Sequence, residues 1–346
     1  MMNSDVIFFM GPTGSGKSAM AIAIAKRLGN AEIVNADALQ VYKGSFDIGT
    51  AKLSVNEQDG IPHHGFDLVE PGETFSAQDY IEFATRTISE LHERGKVALI
   101  AGGSNMYLQA LIWTSPLDED KFSIDATGCG SWDDLYAIDP EKALKLHKND
   151  TRRIENAIMG AKSPHYTPRL RYANCHAVVM TCDESSWMRA RLDNRVDDMV
   201  KRGLVAEALR AMETFKEGKG VLQAIGYREF SEAVDLDDLD SILDKIKRDT
   251  WKYFRKQVKW NGKILKRLSF EPVVVKVNEA TCREFEMLVD GVMTDLAHRR
   301  NKIDGVGQTQ AVQRYTCEKC SIEFPGVEQD WKNHIKSSRH NRKRQT

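Results

Sequence analysis

A chain of 346 residues with 49 lysines and arginines against 50 aspartates and glutamates carries a formal net charge of -1, so its total charge neither demands nor excludes a polyanionic partner. At 41% hydrophobic and 29% charged residues the composition is that of a soluble globular protein long enough for two or three domains. No apolar run reaches the roughly 20 residues that span a bilayer. The N-terminus MMNSDVIFF has neither a secretory nor an Arg-rich transit pattern, and six scattered cysteines do not make a disulfide framework. A reducing compartment and no membrane partner are therefore expected: cytoplasm, with nucleus or mitochondrion also open.

In chain order, Val6–Met10 is a short apolar strand candidate, followed by GPTGSGKS and the helical stretch AMAIAIAKRLG, which ends on Gly29, a favourable C-terminal position for glycine. Residues 32–34 predict a second strand ending just before Asp37. Val97–Ala101 (VALIA) predicts a buried strand, and GGSNMYLQALIW a glycine turn that opens a helix. Strand, turn and helix alternating in this way predict an α/β fold, a parallel sheet covered by helices. From 118 to 218 helical segments dominate (DPEKALKLHK, TRRIENAIMGA, WMRARLDNRVDDMVKRGLVAEALRAMETFK), which reads as a helical insertion. VLQAIGYREF returns to the core, a basic helix follows over 242–260, and Val273–Val277 predicts a last strand. The expected division is a catalytic core over 1–117 and 219–277, an insertion over 118–218, a helix and linker over 278–313, and a small module over 314–346.

The octad Gly11-Pro12-Thr13-Gly14-Ser15-Gly16-Lys17-Ser18 fits G-x-x-x-x-G-K-[ST] in its proper strand-to-helix setting. Glycines let successive backbone N–H groups converge on phosphate oxygens, and the helix N-terminus adds its dipole. Gly11, Thr13, Gly14, Ser15 and Gly16 would then form the cradle, Lys17 its point charge, and Ser18 a ligand for Mg²⁺. The loop alone leaves open whether it holds ATP or another diphosphate. A nucleotide hydrolase usually ends a buried strand on an acid that organises Mg²⁺ and water; VALIA runs instead into Gly102-Gly103-Ser104. Asp37, after the second strand, is the carboxylate that could face the loop across the sheet edge, with a helix-capping or turn aspartate as the alternative.

In the C-terminal module Cys317-x2-Cys320, thirteen residues and His334-x5-His340 approach the pattern of a zinc site with two thiolates on a turn and two imidazoles on a helix. The wide histidine spacing is that of matrin-type fingers associated with RNA, and the neighbouring Arg339, Arg342, Lys343 and Arg344 suit phosphate contacts. In the basic helix Lys252, Arg255, Lys256 and Lys259 share a face, suited either to an RNA backbone or to solvent. Cys129, Cys175, Cys182 and Cys282 show no motif spacing, and His63-His64 reads as structural.

Together these residues resemble the tRNA dimethylallyltransferases, also called tRNA isopentenyltransferases, of the eukaryotic type with a C-terminal zinc finger. The resemblance runs through GPTGSGKS, NADALQVYKG with DIGTAK, GIPHHGFDLVEP, AGGSNMYLQAL, LDNRVDDMVKRGLVAE, QAIGYREF and YFRKQVKW, and covers most of the chain. It implies a P-loop NTPase-like core with a tRNA-binding helical insertion, working as a monomer. It further implies transfer of a dimethylallyl group from dimethylallyl diphosphate to N6 of the adenosine 3′-adjacent to the anticodon of tRNA, with Mg²⁺ and a structural Zn²⁺. By motif, Asp37 is the general base; Lys17 and Ser104 are catalytic; Arg228 joins the loop on the diphosphate; and Asp37, Ala38, Leu39, Gln40, Arg152, Arg153, Lys252, Arg255, Lys256 and Gln257 meet tRNA. Ala38 stands for a family serine, Ser104 for a threonine, and Asn156 and Trp251 for arginines. Two alternatives carry different tests: an adenylate isopentenyltransferase or P-loop kinase acting on a free nucleotide, which needs no RNA footprint, and a non-enzymatic RNA-binding protein with a degenerate phosphate site.

Overall fold

The computed structural model describes residues 5–114, 130–162, 168–215, 220–305, 313–317, 322–326 and 335. They fall into two compact units, one over 1–112 and 172–305, the other over 113–171 and 306–346.

The first unit is organised by six parallel strands in the order β3-β2-β4-β1-β5-β6: β1 (Val6–Met10), β2 (Ala31–Asn35), β3 (His63–His64), β4 (Val97–Ala101), β5 (Cys175–Cys182) and β6 (Val273–Val277). All five residues of β1, β2 and β4 are buried. That burial explains why their sequences do not alternate: in a parallel sheet covered on both faces, successive side chains are buried whichever way they point. β6, at the edge, alternates buried and exposed residues. In register, Val6 lies beside Ala98 of β4 and Cys175 of β5. The C-terminal ends of β1, β2, β4 and β5 therefore open on one edge, where ligands of such sheets bind.

The helices follow their sequence signals. α1 (Lys17–Leu28) closes on Gly29, whose φ of 71° and N–H to the Ala25 carbonyl make a left-handed cap. α2 (Ala77–Glu93) opens with a Ser76–Asp79 capping box, and α3 (Asn105–Ile112) follows the glycine turn after β4. α7 (Ser186–Lys201) and α8 (Leu204–Thr214) are parted by Gly203, at φ 104°. A 3-10 turn (Gly220–Gln223) and the short α9 (Arg228–Ser231) lead to α10 (Leu239–Leu265), which buries Ile242, Ile246, Phe254, Gln257, Asn261 and Ile264 along one stripe. α11 (Glu279–Arg283) and α12 (Phe285–Gly305) complete the unit. A second apolar cluster joins Val41, Tyr42 and Phe46 to Leu204, Phe215, Tyr227 and Phe230, underpinning the loop after β2.

The second unit contains α4 (Trp132–Ile138), α5 (Pro140–Ala143) and α6 (Thr151–Lys162), packed around Leu135, Ala143, Ile154 and Ile158. It also contains an antiparallel hairpin of β7 (Gln313–Cys317) and β8 (Ile322–Gly326). No helix among the described residues is long and apolar enough to cross a membrane.

The expected insertion over 118–218 is corrected by this topology. Its segment CHAVVMTC is β5, an interior strand hydrogen-bonded between β1 and β6, and α7 and α8 belong to the first unit. An unbroken apolar run has no period, so among helices it does not announce itself as a strand. The one helix expected within 278–313 is two, α11 and α12, parted at Glu284. His63 and His64 form the edge strand β3. Residues 306–312 of the expected linker, and Cys129, lie outside the described residues.

Candidate functional site

The apolar strand β1 ends in a loop that only its glycines permit. Gly14 and Gly16 take φ of 77° and 85°, a region that L side chains rarely adopt. The chain then turns into α1, whose first residues, Lys17 and Ser18, both line the wall of a cavity of about 1030 Å³. The volume is at the upper end of small-ligand sites and leaves room for more than one reacting group.

Across the cavity stands Asp37. Gly102 makes this approach possible: a β-carbon there would run into the Ala36 backbone. Ala36 N–H reaches the Ala101 carbonyl at 2.9 Å and Ser104 N–H reaches the Ala36 carbonyl at 3.0 Å, lacing the ends of β2 and β4 together. The Asp37 carboxylate accepts from Leu39 N–H at 3.0 Å and from Gly103 N–H. Loss of water in the cavity raises its pKa above the usual value; those two N–H groups and the Lys17 charge only partly offset the effect. The same desolvation lowers Lys17 to about 8; Asp37 opposes the drop and Arg195 adds to it.

Ser104 also lines the cavity, but its hydroxyl oxygen accepts from Ala38 N–H at 2.8 Å, so it fixes the backbone that carries Asp37. Gln40 donates its side-chain amide to the carbonyls of Thr50 (3.0 Å) and Ala51 (3.2 Å). Arg228 lines the cavity while paired with Glu229 (2.7 Å) and Asp249 (3.2 Å). Of the residues expected at the tRNA face, Lys256 lines the cavity mouth. Lys252 is exposed and paired with Asp249 at 2.8 Å, and Arg255 is paired with Glu184 at 2.7 Å. Arg153, in the second unit, is exposed beside Asp150. Gln257 sits differently from its expected RNA-facing role. It is buried, accepting from Thr13 N–H at 2.8 Å and donating to the Gly103 carbonyl at 3.1 Å, and so braces the glycine loop after β1 against the glycine turn after β4. Gln257→Leu is expected to lower the unfolding free energy by about 2 kcal/mol, the cost of leaving the Thr13 N–H without its acceptor and removing one donor from the Gly103 carbonyl, measured by urea denaturation. A change below about 0.5 kcal/mol, the range of ordinary surface substitutions, would refute the brace.

The sequence reading missed the arginine face of α7. Trp187, Arg191 and Arg195, four residues apart, turn one side of the helix to the cavity, with Arg202 beyond its C-terminus. Arg191 lies over the Trp187 ring and donates to the Gly14 carbonyl at 2.9 Å. Loss of hydration, then the crowding of Arg191 and Arg202, lowers the Arg195 pKa. The spacing was available in WMRARLDNRVDDMVKRG, but nothing in it says which face meets the ligand. Tyr253 was also missed: its hydroxyl donates to the Gly103 carbonyl at 3.2 Å at the cavity rim. Trp251, standing where the family resemblance leads one to expect an arginine, has the Arg189 guanidinium over its ring.

His64 meets Glu32 at 2.8 Å and His63 stacks on Phe66, away from any metal cluster; no group of three or more potential metal-ligating side chains occurs among the described residues. Cys317 is buried at the end of β7. The Arg152 side chain, Cys320, His334 and His340 lie outside what the structure describes.

A parallel sheet with a glycine-rich turn and Lys17 after its first strand, and the buried carboxylate of Asp37 on the same cavity, gives this α/β fold a candidate active site. The family model described as IPP transferase matches residues 40–264. A tRNA dimethylallyltransferase of Carboxydothermus hydrogenoformans is 35% identical over 283 residues, covering 75% of this chain and 89% of its own. The crystal structure of the full-length tRNA isopentenylpyrophosphate transferase from Bacillus halodurans is 28% identical with a TM-score of 0.62, over 87% of this chain and 99% of that one. A eukaryotic dimethylallyltransferase crystallised acting on tRNA has a TM-score of 0.71 over 98% of this chain and 96% of that one; at 24% identity the likeness is one of fold. This chain belongs to the IPP transferase family.

Proposed function

We propose that this enzyme, as a monomer, transfers a dimethylallyl group from dimethylallyl diphosphate to N6 of the adenosine 3′-adjacent to the anticodon of tRNA, releasing pyrophosphate. The observation that carries the reading is the placing of Lys17 and Asp37 on one cavity, with glycine instead of an acid at the end of β4. A diphosphate held on the loop would present its allylic carbon toward the carboxylate. The adenine is flipped out of the anticodon loop, because its amine cannot otherwise reach a buried carbon.

In the reaction the N6–C1 bond forms as the C1–O bond to the diphosphate breaks, and the N6 proton passes to Asp37. The N6 lone pair is delocalised into the ring, so attack depends on that proton transfer. Lys17, the loop N–H groups, Arg195 and Arg228 would hold the negative charge that develops on pyrophosphate. Ser18 beside Lys17 offers a hard oxygen and leaves most of the coordination sphere to phosphate oxygens and water, as Mg²⁺ prefers; when bound there the ion would neutralise charge on the leaving group. Ala38, Leu39 and Gln40 would line the adenine side. Residues 113–171, with Arg152 and Arg153, and the exposed face of α10, with Lys252, Arg255 and Lys256, would follow the tRNA backbone.

The C-terminal module we read as a matrin-type zinc finger of the eukaryotic kind, with Cys317, Cys320, His334 and His340 as ligands. Supporting this, Cys317 ends β7, and Cys320 follows it three residues later in the sequence, the close spacing that two thiolate ligands require. Cys317→Ser, or chelation of zinc, is expected to weaken tRNA affinity about tenfold, the loss of one or two phosphate contacts. kcat at saturating tRNA should stay near that of the intact protein. Filter binding at fixed salt measures it, and unchanged affinity would exclude the finger from tRNA binding.

The function is tested by incubating the protein with labelled dimethylallyl diphosphate, Mg²⁺ and either unmodified tRNA or AMP. Label in tRNA alone is expected. Label in AMP alone would assign the enzyme to free nucleotides, and no transfer beside an active control would refute prenyl transfer.

A further inference from the structure

The loop after β2 contains a buried anion site filled from within the protein. Glu207 of α8, 3% exposed, accepts hydrogen bonds from three consecutive backbone N–H groups, those of Asp47 (3.0 Å), Ile48 (2.9 Å) and Gly49 (2.9 Å). A fourth comes from the Tyr227 hydroxyl at 2.5 Å. Successive N–H groups pointing into one concavity form a site for a negative charge, and here no cation is needed to satisfy the buried carboxylate. Tyr227, fully buried, also receives Gly49 N–H at 3.1 Å, and a β-carbon at Gly49 would overlap its ring. Glutamate, tyrosine and glycine therefore hold residues 47–49 in one position.

The chain beyond that clamp is under tension. Ala51 takes φ of 53°, a left-handed conformation unfavourable for a residue with a β-carbon. Its N–H reaches the Ile48 carbonyl at 3.0 Å, and Lys52 N–H the Asp47 carbonyl at 2.9 Å, folding the segment back onto the clamped residues. The result is that the carbonyls of Thr50 and Ala51 converge on one point, where they meet Gln40. Two carbonyl acceptors can be met only by the nitrogen end of a side-chain amide, so they determine which way the Gln40 amide faces. Gln40, Gly49, Thr50 and Ala51 all line the cavity, whereas Glu207 and Tyr227 do not.

We infer that Glu207 and Tyr227 are positioning residues for the nucleotide: through the clamped 47–51 loop they orient the Gln40 amide, and so set how the target adenosine is received, without touching it. The inference rests on the prenyl-transfer reading, in which Gln40 lies on the adenine side of the cavity. It separates this machinery from the phosphate loop, on which neither residue bears.

The test is a double-mutant cycle on the full-length chain. Steady-state transfer is measured for the parent, Glu207→Gln, Tyr227→Phe, Gln40→Leu and Tyr227→Phe combined with Gln40→Leu, varying tRNA and dimethylallyl diphosphate separately and recording Tm for each. Glu207→Gln turns an amide donor toward three N–H groups and is expected to raise the tRNA KM about tenfold, the value of one lost hydrogen bond. Tyr227→Phe, which removes a single oxygen and should fold if the stricter variant does not, is expected to raise it about threefold, a share of the same interaction. The KM for dimethylallyl diphosphate should stay within about twofold in both, since no contact to the loop is lost. In the Gln40→Leu background, Tyr227→Phe should have no further effect, the non-additivity that marks residues acting through one another. Equal rises in both KM values, or a Tyr227→Phe effect as large without Gln40 as with it, would overturn the inference and make the clamp merely structural. Absence of transfer by the parent would overturn prenyl transfer itself, and the inference with it, which distinguishes the two failures.

Discussion

Asp37→Asn is expected to lower kcat for prenyl transfer about a thousandfold, within the range that a positioned general base supplies, while tRNA Kd stays within about twofold, as for removal of a group used in the chemical step. The substitution is a narrow one. Asparagine keeps an oxygen to receive the Leu39 N–H and fills the space left by Gly103, giving up only the second of the two hydrogen bonds, that from Gly103 N–H. What it loses is the ability to take a proton. The pH profile should show the same loss. Burial raises the Asp37 pKa above the usual carboxylate value, and the base must be ionised to work. In the parent enzyme activity therefore falls as pH drops through that raised pKa, and in Asp37→Asn this acid limb disappears. Single-turnover transfer with saturating substrates, set beside tRNA filter binding, checks both. A loss of tRNA affinity as large as the loss of rate would show that Asp37 holds the loop and performs no chemistry.

How much of this was legible beforehand depended on whether the residues speak locally. The phosphate loop is local: glycine spacing, a preceding apolar strand and a following helix all lie within about two dozen residues, and the structure matches each of them. Asp37 was legible as a carboxylate at a strand end, though its raised pKa was not, because desolvation is set by the far wall of the cavity. Gln257 illustrates the limit. On a basic helix with neighbours such as Lys256 and Arg255 it reads as one more polar residue on an RNA face. Only the packing of α10 across the sheet edge turns it inward onto Thr13 and Gly103, over 244 and 154 residues of intervening chain. Glu207 was invisible for a similar reason. It is one glutamate in a helical run, and its partners are backbone N–H groups, which leave no mark in the sequence. β5 failed differently: its residues carry a clear apolar signal, but the helices on either side determined how it was read.

The loss of the cation opposite Asp37 should have the complementary effect. Lys17→Met is expected to weaken binding of dimethylallyl diphosphate about 100-fold, the value of a charge-assisted contact to phosphate in a site shielded from water. Methionine keeps most of the side chain's bulk, and the bond from Arg191 to the Gly14 carbonyl remains to hold the loop in place. Desolvation has brought the Lys17 pKa down to about 8, so in the free enzyme its charge is present below that pH and is lost above it. Affinity for the diphosphate should accordingly be flat at neutral pH and fall as pH rises past about 8. The ligand's own last ionisation, near 6 for a phosphate ester, lies too low to produce that limb. Bound diphosphate adds negative charge beside the ammonium and raises its pKa, so the alkaline limb belongs to kcat/KM at subsaturating diphosphate and recedes at saturation. Asp37 and Lys17 thus bound the activity from opposite sides: one must have given up its proton, the other must have kept it. Asp37→Asn should erase the acid limb of kcat at saturating substrates, and Lys17→Met the alkaline limb of kcat/KM for dimethylallyl diphosphate, each measured from pH 5 to 10. If Lys17→Met leaves the alkaline limb in place, the lysine is not the group that meets the phosphate charge, and Arg195 on α7 becomes the residue to replace next.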